Sequence, residues 1–265
     1  MLLYCKKGEY MKRVIMVFLR VNIVFLLLMI FISCVSEYAG FLDPDARKVY
    51  KAFKNKVENY KIAFLSRSDS IINFIDSKIS FFPGNKEVYS DKLLYFDEEI
   101  TKRIVIATLG DDVGVVRSLI DVLSTLDLRF NKDVGNLNDN DVNVAVRFLK
   151  ELENVTKYGI ILLSRHLSNE NLAKIRDHFK FEEGLVTFID NIMFHLDYFM
   201  KAREELISDI KHFVNEAAAR RGDKLMMINY LESLIDDGIL SNRILIGIVD
   251  NVFKIEDKLN EIFKS

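Results

Sequence analysis

The chain has 265 residues, of which 50% are hydrophobic and 29% are charged, and its formal net charge is −2. A slightly acidic balance argues against a protein that binds nucleic acid through a basic face. With only two cysteines, the chain cannot be a disulfide-rich scaffold. Its length is sufficient to bury one large core or two smaller ones.

The N-terminal segment has the order of charges and apolar residues that is typical of a secretory signal peptide. The basic residues Lys12, Arg13 and Arg20 precede the apolar run 21–32, and small Ser33 and then Cys34 follow it. A cysteine at this point predicts a bacterial lipoprotein signal. Residues 1–33 are then expected to be removed, and Cys34 to become the lipidated first residue that anchors the protein in a membrane.

A transmembrane anchor is the alternative interpretation of the same apolar run. A membrane span needs about 20 apolar residues, whereas the uninterrupted run before Cys34 stops at Arg20. This length favours the core of a signal peptide. Residues 1–10 are the least typical part of the leader because Glu9 interrupts a region that is normally basic, and Met11 is a more natural start.

Removal of the leader changes the charge of the chain. Residues 34–265 carry 32 basic and 38 acidic residues, a net charge of −6. This acidic balance argues against a nucleic-acid partner and against a polybasic membrane patch, so the lipid is expected to supply the membrane affinity. Cys5 leaves with the leader and Cys34 carries the lipid, so no thiol remains for a disulfide, a catalytic cysteine or a thiolate metal site. Residues 34–42 form a tether of at most about 30 Å.

From residue 43 to the end of the chain, apolar residues recur at spacings of three and four, which predicts helices throughout. No stretch has the sustained two-residue alternation of a strand. We expect a first helical half over residues 43–130, broken at 82–85 and at Gly110. The expected helix starts in this half are Asp43-Pro44, Ser68 or Ser70, Asp97, and Asp111 or Asp112.

The polar segment 131–140 is expected to be a loop and the boundary between two halves. A second helical half is expected over residues 139–265, with helix ends at Gly222 and Gly238. The expected helix starts in this half are Asp141, Ser168, Glu182, Asp223 and Ser241. The predicted fold class is therefore all-α, a multi-helix bundle. Whether the two halves are a true repeat is left open by the sequence.

Several segments resemble those of a known family. The ending Phe31-Ile32-Ser33-Cys34, the segment 141–159, the segment 45–79 and the Leu-Gly-Asp-Asp turn at 109–112 resemble corresponding parts of surface lipoproteins of Borrelia. The likeness is to the helical repeat-domain lipoproteins of the relapsing-fever group. The resemblance implies an all-helical lipoprotein on the outer surface of a spirochaete, and it supplies no functional residues.

The tripeptide Arg221-Gly222-Asp223 spells an integrin-recognition motif and is the weak candidate for a partner-binding site. A helix boundary also explains it. Arginine suits a helix C-terminus, glycine ends the helix, and aspartate caps the next one. The boundary is the favoured interpretation.

Other candidate sites are weaker still. Asp209, His212 and Glu216 share one helix face but lack further ligands of the kind that zinc sites use. The segment 139–150 begins like a calcium loop, but it lacks the required glycine at its sixth position and the glutamate at its twelfth. The remaining histidines are scattered, and His195 is expected to be a satisfied core residue. No cofactor and no metal are therefore expected.

The favoured function is a non-enzymatic one: a lipid-anchored protein of the outer membrane surface that contacts a host protein or shields the cell. The first alternative is a periplasmic-facing lipoprotein with a structural role. The second alternative is an enzyme whose acidic and basic groups come together from distant helices.

Overall fold

The computed structural model describes residues 44–75, 80–82, 88–129, 139–179 and 184–264. These residues form ten α-helices and no strand, which confirms the predicted all-α fold. Cys34, Asp43, residues 83–85 of the predicted break and the predicted helix start at Glu182 lie outside the described residues. Within the described part of the chain, no helix combines the length and the apolar character that a membrane span requires.

The helices differ widely in length, and α7 is the longest of those described. In chain order they are α1 (Pro44–Ile75), α2 (Asp91–Leu94), α3 (Glu99–Thr108), α4 (Val113–Thr125), α5 (Asp139–Ile160), α6 (Asn169–His178), α7 (Leu185–Ala219), α8 (Lys224–Asp236), α9 (Ile239–Ile244) and α10 (Asp250–Phe263). A 3₁₀ turn, Tyr95–Asp97, continues α2. Two π-helical segments, Ile161–His166 and Leu245–Val249, extend α5 and join α9 to α10.

Both predicted halves contribute to one continuous hydrophobic core. Helix α7 lies at its centre and packs against α1, α4 and α10, while α5 packs against α3 and α8. The largest fully buried side chains come from several of these helices; they include Tyr50, Phe53, Phe96, Phe148 and Phe199. Among the described residues, this core extends from Ala46 in α1 to Leu259 in α10.

Three predicted helix starts are confirmed in detail. The side chains of Asp112, Ser168 and Asp223 each accept a hydrogen bond from a backbone N–H in the first turn of α4, α6 and α8. These bonds satisfy donors that have no partner within the helix. Gly110 and Gly238 have φ angles of 65° and 70°, a left-handed conformation that glycine adopts without strain, and α3 and α8 end just before them.

Two predicted helix starts are wrong. Helix α1 continues through Ser68 and Ser70 without a break, because serine weakens a helix much less than glycine or proline does. Helix α9 begins at Ile239, directly after Gly238, and not at Ser241. The hydroxyl of Ser241 instead donates to Glu151 of α5 at 3.0 Å, so it joins two helices.

Two acidic residues that were expected to start helices have other roles. Helix α5 begins at Asp139, and the buried carboxylate of Asp141 accepts the backbone N–H of Asp127 at 2.7 Å. Asp97 is also buried and accepts the backbone N–H of Phe81 at 3.0 Å, so α3 begins after it. Both carboxylates join segments that are separated in the sequence.

Candidate functional site

Helix α7 packs antiparallel to the C-terminal helices along a seam. At one end of the seam, the guanidinium of Arg243 in α9 donates to the carboxylate of Asp209 in α7. Further along, Gly247 lies so close to α7 that a Cβ at its position would be 3.0 Å from the Cβ of Ala202. The absence of a side chain at Gly247 therefore allows this close approach.

The π-helical segment Leu245–Val249 lies in the middle of this seam and is held by one buried side chain. Asn251 donates from Nδ2 to the carbonyl oxygen of Gly247 at 3.1 Å, and its Oδ1 lies 3.1 Å from Nδ1 of His195. Since Oδ1 can only accept, His195 donates from Nδ1. Turns of π-helix occur frequently at functional sites, which draws attention to the surface above this one.

Large apolar side chains are exposed on both sides of the seam. Phe194 and Tyr198 are one turn apart on α7, with exposed fractions of 65% and 48%. Leu245 and Ile246 belong to the π-helical segment and Phe253 to the first turn of α10, and each is more than half exposed. Ile246 lines one cleft together with Tyr198 of α7, whereas Leu245 lines another with residues of α5. We therefore call Phe194, Tyr198 and Ile246 the seam surface. Grouped apolar side chains of this kind mark interaction sites, whereas single exposed ones do not.

A cleft of about 230 Å³ lies within the seam surface. Tyr198 and Ile246 line it, Leu206 contributes from the core, and the ion pair between Asp209 and Arg243 forms part of its rim. This volume lies below the roughly 300–1,000 Å³ of typical small-molecule sites. The cleft therefore suits one or two side chains of a protein partner better than a whole small ligand.

A second cleft of about 460 Å³ lies between α1, the turn that joins α3 to α4, and α7. The guanidinium of Arg203 lies over the ring of Phe64, 4.1 Å from its centroid, and Lys211 reaches Asp112 at 3.5 Å. Although burial opposes it, the backbone N–H of Val115 and the charge of Lys211 hold the pKa of Asp112 below its ordinary value. These contacts serve the packing of α1 and α4 on α7.

The tripeptide Arg221-Gly222-Asp223 lies in the exposed turn between α7 and α8. The guanidinium of Arg221 donates to Asp121 of α4, and the carboxylate of Asp223 accepts the backbone N–H of Met226 at 3.0 Å. Both charged groups therefore have roles in the fold. This arrangement supports the interpretation as a helix boundary, and integrin binding stays a prediction.

The weak zinc candidate is not assembled in the structure. Asp209 is paired with Arg243, and Glu216 accepts a hydrogen bond from Arg220 at 2.7 Å, while His212 is exposed. Among the described residues, no group of three or more metal-binding side chains comes together. The start of the rejected calcium loop is the first turn of α5.

The other histidines occupy different places in the fold. His166 is buried in the π-helical segment that extends α5, and burial lowers its pKa. His178, in the last turn of α6, meets the ring of Phe179 edge to face at 4.8 Å. His195 is bonded to Asn251, so the expectation of a satisfied histidine agrees with its contacts, but it is half-buried and not the core residue that the sequence predicts. None of the three lines either of the two clefts described above.

The chain matches no protein-family model, no curated protein and no solved structure. Its functional interpretation therefore depends on its own residues. The seam surface was not predicted, although a signal for it exists. Phe194 and Tyr198 lie off the apolar stripe of α7, and aromatic residues away from a core-facing stripe need another explanation.

Proposed function

We propose that this protein is a lipid-anchored bacterial surface protein that acts by binding a protein partner through the seam surface, and that it is not an enzyme. The leader that ends at Cys34 supports the anchor and the export. The resemblance to Borrelia surface lipoproteins supports an outer-surface location and a host protein as the partner. The exposure of the large apolar side chains of the seam surface is the observation that supports the binding role.

The physical argument rests on the cost of leaving apolar side chains in water. Complete burial of a Phe, Leu or Ile side chain contributes about 1.5–3 kcal/mol. Phe194 and Ile246 are each more than half exposed, so a partner that covers them recovers a large part of this free energy. Central apolar anchors of this kind, with a charged rim such as Asp209 and Arg243, are typical of protein interfaces.

The charged groups that a catalytic hypothesis would use have structural roles instead. Asp112 and Asp223 cap helices, Asp209 and Glu216 pair with arginines, and His195 holds Asn251. These contacts favour the binding role over the alternative of an enzyme with a site built from distant helices.

Binding by matched variants tests the role of the seam surface. Residues 35–265 are used to capture human plasma and extracellular-matrix proteins, and the captured protein is identified and titrated. We expect saturable binding that falls at least tenfold in the double variant Phe194→Ser, Ile246→Ser. The control Leu225→Ser, Met226→Ser also removes two exposed apolar side chains, but at the start of α8, and should bind normally.

Two outcomes would overturn this proposal. If no plasma or matrix protein binds with saturation, the host-interaction role is wrong. If both double variants bind as tightly as the parent, the partner uses a different surface. Protease treatment of intact cells separates the surface location from the periplasmic alternative, because a periplasmic-facing protein survives the treatment.

A further inference from the structure

The seam surface is part of a groove between α7 and the C-terminal helices. Ala202 and Gly247, where the two sides touch, form its floor, and the exposed side chains of Tyr198 and Ile246 form its walls. Because both floor residues are small, a segment that enters the groove can approach the backbone on either side closely. Phe194 lies one turn before Tyr198 and continues the apolar wall along α7.

The form of the groove favours a helix as the segment that enters it. A helix packs into the groove between two others with side chains three and four residues apart, and amphipathic helices bind apolar grooves in this way. From Phe194 to Asp209, α7 advances about 22 Å, which a helix of about 15 residues spans. An extended segment would need a strand edge to pair with, and the described residues contain no strand.

The charged side chains that border the groove leave an excess of negative charge. The basic ones are paired with acidic ones: Lys201 with Glu205 at 3.7 Å, Arg243 with Asp209, and Lys254 with Asp250 at 2.6 Å. Asp190 and Asp257 are two further exposed carboxylates on α7 and α10. In the part of the chain that the structure describes, no basic side chain pairs with either of them. The border of the groove is therefore acidic.

These two carboxylates lie at the same end of the groove, one on each side. Asp190 is one turn before Phe194 on α7. His195 lies opposite Asn251. Because the helices are antiparallel, Asp190 and Asp257 are displaced from this contact in the same direction, by about 8 and 9 Å. A segment that lies in the groove therefore passes between the two carboxylates.

We propose that the partner segment bound at the seam surface is an amphipathic helix with lysine or arginine on both sides of its apolar stripe. This inference rests on the proposed function, since it names the kind of segment through which the protein partner is held. The apolar stripe covers Phe194, Tyr198 and Ile246, and the basic residues pair with Asp190 and Asp257. An acidic segment meets two unpaired carboxylates instead, so the same border rejects it.

Two synthetic helices test the chemistry of the partner segment. Each has about 15 residues, with leucine at spacings of three and four and alanine elsewhere. The positions beside the leucine stripe carry lysine in one peptide and glutamate in the other. Binding to residues 35–265 is measured by fluorescence anisotropy, and circular dichroism measures the helix content of the bound peptide. We expect the lysine peptide to bind with saturation, as a helix, and more weakly as salt is raised. The glutamate peptide should bind about tenfold more weakly or less.

A pair of matched variants tests the two carboxylates. An exposed ion pair contributes up to about fivefold in affinity, so Asp190→Asn, Asp257→Asn should bind the lysine peptide about three- to tenfold more weakly. The control Asp91→Asn, Asp237→Asn changes the net charge equally at two exposed positions elsewhere in the fold, and should bind as the parent does. Both variants alter only exposed side chains, so both should fold, which melting curves verify.

The outcomes separate this inference from the proposed function. Phe194→Ser, Ile246→Ser should weaken binding of the lysine peptide by about tenfold or more, and unchanged binding would overturn the inference. Equal affinities for the two peptides, or equal losses in the two aspartate variants, would also overturn it. If a captured plasma or matrix protein depends on Phe194 and Ile246 while neither peptide binds, the helical segment is wrong and the proposed function stands. Failure of the proposed function has a different signature, since no plasma or matrix protein is then captured.

Discussion

Nδ1 of His195 donates to Oδ1 of Asn251 over 3.1 Å, and this bond joins α7 to α10 beside the seam surface. The same amide donates to the carbonyl oxygen of Gly247, so one side chain holds both the contact between the helices and the π-helical segment. Asn251 is only 4% exposed. The presentation of Ile246 on the surface therefore depends on a buried polar group beneath it.

Substitution of Asn251 by alanine should destabilise the fold by about 1–3 kcal/mol, because it leaves the buried carbonyl of Gly247 and the imidazole of His195 without this partner. Urea denaturation measures the loss. Asn215→Ala, at an exposed position of the same long helix α7, is the control and should change stability by less than about 0.5 kcal/mol. Equal effects of the two substitutions would contradict the role given to Asn251.

Gly159→Ala should destabilise the protein although alanine is the better helix former. An added Cβ would lie 2.1 Å from the ring of Phe64, which is packed between Gly159 and the guanidinium of Arg203. Displacement of this ring should cost about 1–3 kcal/mol. At Gly222, an added Cβ meets nothing within 4 Å. Thermal melting should therefore show a lower Tm for Gly159→Ala and no loss for Gly222→Ala.

Glu153 should make stability sensitive to acid. The carboxylate is 1% exposed and accepts hydrogen bonds from Lys150 at 2.6 Å and from Tyr95 at 2.9 Å. Burial alone would raise the pKa of Glu153, but these bonds and Lys157 hold it below its ordinary value. The contribution of Glu153 to stability is therefore complete above the pKa of about 4.3 that a glutamate has in the unfolded chain. It is lost as the pH falls through the lower pKa of the folded state.

Denaturation of Glu153→Gln across the acid range measures this contribution. The variant should be less stable than the parent by about 1–3 kcal/mol at neutral pH, and the difference should shrink on acidification. Glu205→Gln, at an exposed position, should follow the parent at every pH. A difference for Glu153→Gln that does not change with pH would show that the substitution acts through packing instead of charge.

His166 should cause a second loss of stability at a higher pH. Its imidazole is 9% exposed, and burial lowers its pKa, so the folded state favours the neutral form. The unfolded chain binds the proton more readily. The contribution of His166 to stability is therefore complete above the ordinary histidine pKa of about 6.5, which applies to the unfolded chain. It is lost as the pH falls through the lower pKa of the folded state.

The free energy of unfolding measured from about pH 7 to about pH 5 tests this group. The parent should lose stability over this range, and His166→Gln should lose less. His212→Gln removes an exposed histidine and should behave as the parent does. If the free energy of unfolding of His166→Gln falls with pH as steeply as that of the parent, a group other than His166 causes the loss.

Several helix starts and ends could be predicted from the sequence because they depend on close neighbours in the chain. Asp112, Ser168 and Asp223 each cap a helix through a backbone N–H two or three residues ahead. The turn at Gly110 likewise depends on the conformation of one residue. These local rules, together with apolar spacing, were sufficient for the all-α fold.

Contacts between distant segments could not be predicted in the same way. Aspartate is common at helix starts, which is why Asp141 was expected to begin a helix. Its carboxylate instead accepts the backbone N–H of Asp127 in the preceding segment. Ser241 similarly bonds to Glu151, which lies 90 residues earlier. A side chain that can cap its own helix can also bond elsewhere, and only the packing of the helices selects between the two.

The residues of this chain establish a leader-like segment ending at Cys34, an acidic balance and a succession of amphipathic helices, because each of these is a property of composition or of short spacing. The tertiary packing selects which apolar side chains stay in water. Phe194 and Ile246 are as apolar as their buried neighbours, but the approach of Gly247 to α7 leaves both of them outside the core. The packing of α1 on the core likewise turns Arg47 and Lys51 outward, where the sequence showed only an acidic average.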